Sequence, residues 1–116
     1  DGTRGLINAD CFARMKDTSY LVNIARGPIV NEADLIDALR AHQIAGVGLD
    51  VFEQEPLPED SPLWEMENVV LTPHLGGRSE EGGPNMKTIF IENLKRYVEG
   101  KDLLNVIDKQ KGYLIQ

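Results

Sequence analysis

The chain has 116 residues, 41% hydrophobic and 27% charged, with a formal net charge of −7. That length supports one small domain with a modest core, and no apolar run reaches the roughly 20 residues of a membrane span. The acidic balance disfavours nucleic acid, which needs basic faces, so neither nucleic acid nor membrane is an expected partner, whereas an anionic small molecule is compatible if a few cations are focused in a cleft.

The segment Asp1–Leu6 reads as a glycine-rich loop or strand end, and the start at Asp1 without methionine or secretory leader marks an expected fragment. Asn8 is placed to cap a helix running to about Met15, with Asp10 in its first turn and Phe12 and Met15 facing the core. Cys11, the single cysteine, excludes an internal disulfide and fits a reducing, cytoplasmic compartment; it is expected as a small buried apolar residue. After the polar turn Lys16–Ser19, the run Tyr20–Ala25 is rich in β-formers without clean alternation, as in a strand covered on both faces.

Arg26-Gly27-Pro28 ends that strand. Asn31 then caps the clearest helix of the first half, with Glu32 and Asp34 in its first turn. Leu35, Ile36 and Leu39 form its apolar stripe, Ala33 and Ala38 lie beside it, and Arg40 and His42 suit its C-terminus, His42 as a solvated end residue. Ile44–Val51 is the next strand; Asp50 at its end needs a partner or a ligand. Phe52–Glu67 is a long acidic connection with Pro56, Pro58 and Pro62, pinned by Leu57, Leu63 and Trp64, the last read as packing. Val69–Leu71 forms a short buried strand that Thr72-Pro73 stops. His74 follows, then Gly76 and Gly77, which let backbone come close to something.

This alternation implies a parallel sheet with right-handed crossovers, an α/β class amounting to about half of a doubly wound domain. Ser79-Glu80-Glu81 opens a further helix whose first turns Gly82-Gly83-Pro84 put in question. Pro84 suits a first helical position. Met86, Ile89, Phe90, Leu94, Tyr97 and Val98 then recur at helical spacing until Gly100 stops the run. Such a stripe needs a surface to cover it. Leu103–Ile107 is a short apolar segment, and Gly112–Gln116 has no assignment.

Arg26, Asp50 and His74 each close or follow a predicted parallel strand, so they converge at one edge of the sheet, where ligands of open α/β sheets sit. Glu55 lies on the loop leaving that edge. An arginine fork can grip a carboxylate, a histidine can exchange a proton near neutral pH, and a glutamate can orient the ring. Together they suit chemistry at a carbonyl beside a carboxylate. Singly, each reads as an ordinary surface charge at a loop end; the shared edge is what favours function. No metal site is expected.

The stretches Met15-Lys16 through Asn23–Leu35, Ala45–Pro56 and Thr72–Gly77, in that order, resemble the D-isomer-specific 2-hydroxyacid dehydrogenases, and Glu92-Asn93-Leu94 and Asn105–Asp108 resemble the family's closing helix and tail. The resemblance covers nearly the whole chain and corresponds to roughly the last third of such an enzyme. It implies residues 1–78 as the C-terminal half of a Rossmann-type NAD(P)-binding domain and 79–116 as a return helix and tail of the substrate domain. It further implies that Arg26 binds the carboxylate of a 2-oxo acid, that His74 delivers a proton to the carbonyl oxygen, and that Glu55 holds His74 in its working tautomer and raises its proton affinity. Ile24, Ala25, Arg26, Asp50, His74, Leu75, Gly76 and Gly77 would contact the nicotinamide half of NAD or NADP.

Some features depart from the family pattern. The glycine-rich phosphate loop and the residue that selects NAD or NADP are absent, so the chain alone is expected to bind the cofactor poorly. Gly82-Gly83-Pro84 falls where the family has a continuous helix, and Arg78 is a large charge beside the cofactor turn. Glu55 argues against the formate dehydrogenase branch, which carries glutamine there. The family resemblance also implies a homodimer. A second reading is an NAD(H)-sensing protein like the C-terminal-binding-protein corepressors, which retain the same three residues and act by binding partners; a partner-peptide cleft and a long disordered tail in the full-length sequence would mark it.

Overall fold

The computed structural model describes residues 2–77 and 82–110, with backbone alone at 82–84. Arg78, the Ser79-Glu80-Glu81 helix start and the Gly112–Gln116 tail lie outside the described residues. The chain divides into two compact units, Asp1–Gly76 and Gly77–Gln116.

In the first unit the elements run α1 (Ala9–Phe12), β1 (Tyr20–Asn23), α2 (Glu32–Arg40), β2 (Gly46–Leu49) and β3 (Val69–Leu71), with 3-10 turns at Gly27–Ile29 and Pro62–Trp64. The strands form one parallel sheet in the order β1-β2-β3. Asn23, Leu49 and Leu71 stand in register as the last residue of each strand. All three carboxyl ends therefore open on the same edge. The expected three-stranded parallel α/β half-domain is what the chain forms.

Helix α2 is built as its sequence dictates. The Asn31 side chain accepts the Asp34 N–H at 3.1 Å, which satisfies one of the orphan donors of the first turn. Leu35, Ala38 and Leu39 are buried, while Ala33 is exposed. At the far end, Gln43 N–H donates to the Ala38 carbonyl and His42 N–H to that of Leu39. His42 takes the left-handed conformation (φ 53°) that this closing motif usually gives to glycine. The core joins α2 to Phe12 of α1, Val30, Ile44, Val47, Leu49, Phe52, Leu57 and Leu63.

Four expectations are corrected. Helix α1 ends at Phe12, not near Met15, because the Arg14 and Met15 N–H groups turn to the carbonyls of Cys11 and Phe12, three residues back, a 3-10 tightening. Cys11 is half-buried, its thiol donating to the Leu6 carbonyl, instead of sitting in the core. Among the described residues the sheet is covered on one face only: Tyr20, Val22 and Val70 are between 67% and 73% exposed. The reason is that both α1 and α2 pack on the face presented by Val47 and Leu49. It follows that β3 is a partly exposed edge strand, not a buried one.

The second unit holds α3 (Gly82–Val98). It starts two residues before Pro84, so the glycines and proline fall inside the first turn. That is tolerable because the first four N–H groups of a helix have no intrahelical acceptor for proline to forfeit. Gly100, at φ 68°, closes the helix, with the Lys101 N–H bonded to the Arg96 carbonyl at 2.8 Å. The tail folds back on α3: Asn93 exchanges two hydrogen bonds with the Leu104 backbone, and Arg96 reaches the Asp102 carbonyl. On its apolar stripe Phe90 and Tyr97 are 70% and 75% exposed.

Candidate active site

The loops that follow β1 and β3 carry the candidate residues Arg26 and His74, and two buried polar side chains shape them. Asn23, the last residue of β1, is 6% exposed. Its amide nitrogen donates to the Arg26 carbonyl at 3.0 Å and its oxygen accepts the Ala25 N–H at 3.1 Å. The Ile24-Ala25-Arg26 loop is thus wrapped around one side chain. Gly27 comes next, packed so tightly that a Cβ there would lie 1.8 Å from the Phe52 carbonyl oxygen. That approach ties the Arg26 loop to the segment that carries Glu55.

Asp50, just past β2, is 4% exposed. The partner it needs is the chain itself. Its Oδ1 accepts from the Thr72 hydroxyl at 2.5 Å and from the Leu75 N–H at 2.8 Å; its Oδ2 accepts from the Gly76 N–H at 2.6 Å. These three donors, the Thr72 hydroxyl foremost and then the Leu75 N–H, hold the Asp50 carboxyl below its ordinary 3.8 in spite of burial. Gly76 is the glycine whose closeness has a visible cause, since a Cβ there would meet Asp50 Oδ2 at 2.9 Å. At Gly77 a Cβ would meet nothing within 4 Å.

His74 stands on the turn so held, with a backbone φ of 53°. Its Nδ1 lies 2.7 Å from Glu55 Oε2, and Glu55 Oε1 accepts the Phe52 N–H at 3.1 Å. The bond to His74, then the one from Phe52, keeps the Glu55 carboxyl below its ordinary 4.5. With Nδ1 engaged, the ring nitrogen left for chemistry is Nε2. Glu55 and His74 also share the wall of a cavity of about 630 Å³ whose other lining is chiefly apolar, including Phe52, Leu57, Trp64 and Leu71. Trp64, expected as packing, is 55% exposed and anchored by its indole N–H to the Pro58 carbonyl.

Glu55 and His74 are therefore brought together directly. Ile24 reaches the same neighbourhood, its Cβ 3.8 Å from where a Gly76 Cβ would be. Arg26 follows β1 at the same sheet edge, but its guanidinium donates to the Ala25 carbonyl at 2.6 Å and the residue does not line the cavity. Sequence reasoning missed Asn23, Gly27 and Thr72. Asn23 left a signal, a polar residue inside a run of β-formers; Thr72 left only its place before Pro73.

A three-stranded parallel sheet with flanking helices, its carboxyl edge presenting an imidazole held by a carboxylate, is an α/β arrangement of the Rossmann type. The family described as D-isomer specific 2-hydroxyacid dehydrogenase, NAD binding domain, matches residues 1–76, and the chain belongs to that family. It is 46% identical over 108 residues to glyoxylate/hydroxypyruvate reductase B of Salmonella newport, a match covering 93% of this chain and 33% of that protein. Among solved structures it resembles a D-isomer specific 2-hydroxyacid dehydrogenase from Xanthobacter autotrophicus Py2 in complex with NADPH and MES, with a TM-score of 0.78 and 46% identity over 97% of this chain and 46% of that one. It also resembles an NADPH-dependent glyoxylate/hydroxypyruvate reductase from Sinorhizobium meliloti in complex with NADP and sulfate, with a TM-score of 0.79 and 34% identity over 97% of this chain and 36% of that one. The chain spans about a third of the length of the curated relatives it matches.

Proposed function

We propose that this chain forms the catalytic edge of an NAD(P)-dependent oxidoreductase that transfers a hydride between NAD(P)H and a 2-oxo acid to give a D-2-hydroxy acid, of the glyoxylate/hydroxypyruvate or phosphoglycerate type. The observation that carries the proposal is the 2.7 Å contact between His74 Nδ1 and Glu55 Oε2 at the carboxyl end of a parallel sheet. In this reading Glu55 fixes the tautomer, and His74 Nε2 hands a proton to the substrate carbonyl oxygen in reduction and takes it back in oxidation. Arg26 swings from the Ala25 carbonyl to grip the substrate carboxylate with two hydrogen bonds.

A nicotinamide ring fits this edge: Ile24 is 67% exposed at the end of β1 and lies against Gly76, an apolar floor for a planar ring. Ile24, Ala25, Arg26, Asp50, His74, Leu75, Gly76 and Gly77 would hold the nicotinamide half of the cofactor. When bound, the cofactor supplies the hydride. Residues 1–78 are assigned to the nucleotide-binding domain, 79–116 to the substrate domain, and the whole protein to a cytoplasmic homodimer.

The full-length protein is expected to oxidise NADH or NADPH with glyoxylate, hydroxypyruvate or pyruvate. Trp64 borders the same cavity as His74, and calorimetric titration of the full-length protein with coenzyme alone measures binding without turnover. A folded protein inert to a broad panel of 2-oxo acids with both coenzymes would overturn the assignment.

A further inference from the structure

We propose that Thr72, acting through the buried carboxylate of Asp50, is a positioning residue for His74, and that the two form a clamp which sets the proton donor's direction. The inference rests on the dehydrogenase reading for its kinetic consequences and on geometry for the clamp itself.

The geometry is a bracket around one residue. Thr72 precedes His74 by two positions and Leu75 and Gly76 follow it. All three donate to the same carboxylate, at 2.5, 2.8 and 2.6 Å. Asp50 is itself immobile: it is 4% exposed and its N–H is bonded to the Asn23 carbonyl at the end of β1. Thr72 is stapled a second time, its N–H bonded to the Leu49 carbonyl of β2 at 2.9 Å. Between these fixed points the His74 N–H closes on the Thr72 carbonyl at 3.1 Å, and His74 adopts φ 53°.

A left-handed backbone at a residue with a Cβ persists only where the surroundings over-determine it. Here the over-determination comes from the carboxylate, which accepts on both sides of the residue. Released, His74 would relax toward ordinary φ values, and rotation about its backbone would carry the ring away from Glu55, whose own place is fixed by the Phe52 N–H. Thr72 lines the same cavity as His74, but its hydroxyl is engaged by Asp50, so its effect passes through Asp50 and the turn.

The test uses the full-length protein with Thr72→Val, which keeps the shape and removes the hydroxyl, and Thr72→Ser, which keeps the hydroxyl. Thr72→Val is expected to lower kcat for 2-oxo acid reduction about tenfold while KM and the NAD(P)H Kd change less than about threefold, since a misaimed proton donor costs rate, not affinity. Hydrogen–deuterium exchange of the peptide spanning residues 74–77 should quicken. Thr72→Ser should restore both kcat and exchange.

Wild-type kcat and exchange in Thr72→Val would overturn the clamp. So would equal losses in Thr72→Val and Thr72→Ser, because the hydroxyl would then not be the cause. If Thr72→Val does not fold, Asp50→Asn, left with one acceptor oxygen for three donors, replaces it in the exchange comparison, and unchanged exchange overturns the clamp. A wild-type protein inert to every 2-oxo acid overturns the dehydrogenase reading instead, and the exchange comparison still decides the clamp.

Discussion

His74 and the glycines near it obey different constraints, and single substitutions separate them. Under the proposed mechanism the chief contribution of His74 is a proton, so His74→Ala should lower kcat by about 10²- to 10⁴-fold, far more than it weakens cofactor binding measured by calorimetry; equal loss of both would contradict the role. The glycines form a graded series in stability. At Gly27 a Cβ would enter the Phe52 carbonyl, an obstacle of backbone that cannot swing aside, so Gly27→Ala should cost about 3 kcal/mol or more, at the upper end of overpacking. At Gly76 the obstacle is Asp50 Oδ2 at 2.9 Å, a side chain held by three donors, and Gly76→Ala should cost about 1–2 kcal/mol. Gly77→Ala meets nothing and should change stability by less than about 0.5 kcal/mol. Urea denaturation of the three variants checks the order, and Gly77 proving the most sensitive would refute it.

Among the elements, α2 carries the most local information. Its cap, its stripe and its end were all legible because each depends on residues within a few positions: Asn31 reaching Asp34, Leu35 and Leu39 on one stripe, Arg40 in the last turn. Asn31→Ala should therefore cost about 1 kcal/mol and Leu39→Ala about 2–5 kcal/mol, whereas Val70→Thr on the exposed sheet face should cost less than about 0.5 kcal/mol. The parallel pairing and the common edge for Arg26, Asp50 and His74 were legible too, since alternation of strand and helix implies a parallel sheet. What stayed hidden depends on partners remote in sequence. Nothing in Tyr20–Ala25 tells which face a helix will cover, because apolar residues occupy both. Nothing near Thr72 tells that its hydroxyl meets a carboxylate contributed by another strand. Asn23 and Asp50 could be noticed as polar residues at strand ends, but that each would have a loop wrapped around it required the fold.

At the scale of the whole molecule, those same loop-wrapping bonds make stability depend on pH. Asp50 and Glu55 are both acids whose folded carboxyls lie below the ordinary 3.8 and 4.5. The unfolded chain consequently binds more protons than the folded one in the acid range, and stability rises with pH there. The contribution is fully present above the ordinary carboxylate values and is lost as pH falls through the lower folded ones. Protonation strips Asp50 of its acceptor strength toward Thr72, Leu75 and Gly76, and Glu55 of its hold on His74, so the 72–76 turn should loosen first. The urea midpoint is expected to be flat from pH 7 to about 5 and to fall steeply below about 4. Glu55→Gln, which no longer titrates, should start lower at pH 7 and fall less on acidification. An acid-induced fall as large in Glu55→Gln as in the wild type would show that the His74–Glu55 pair contributes nothing to the folded state's proton balance.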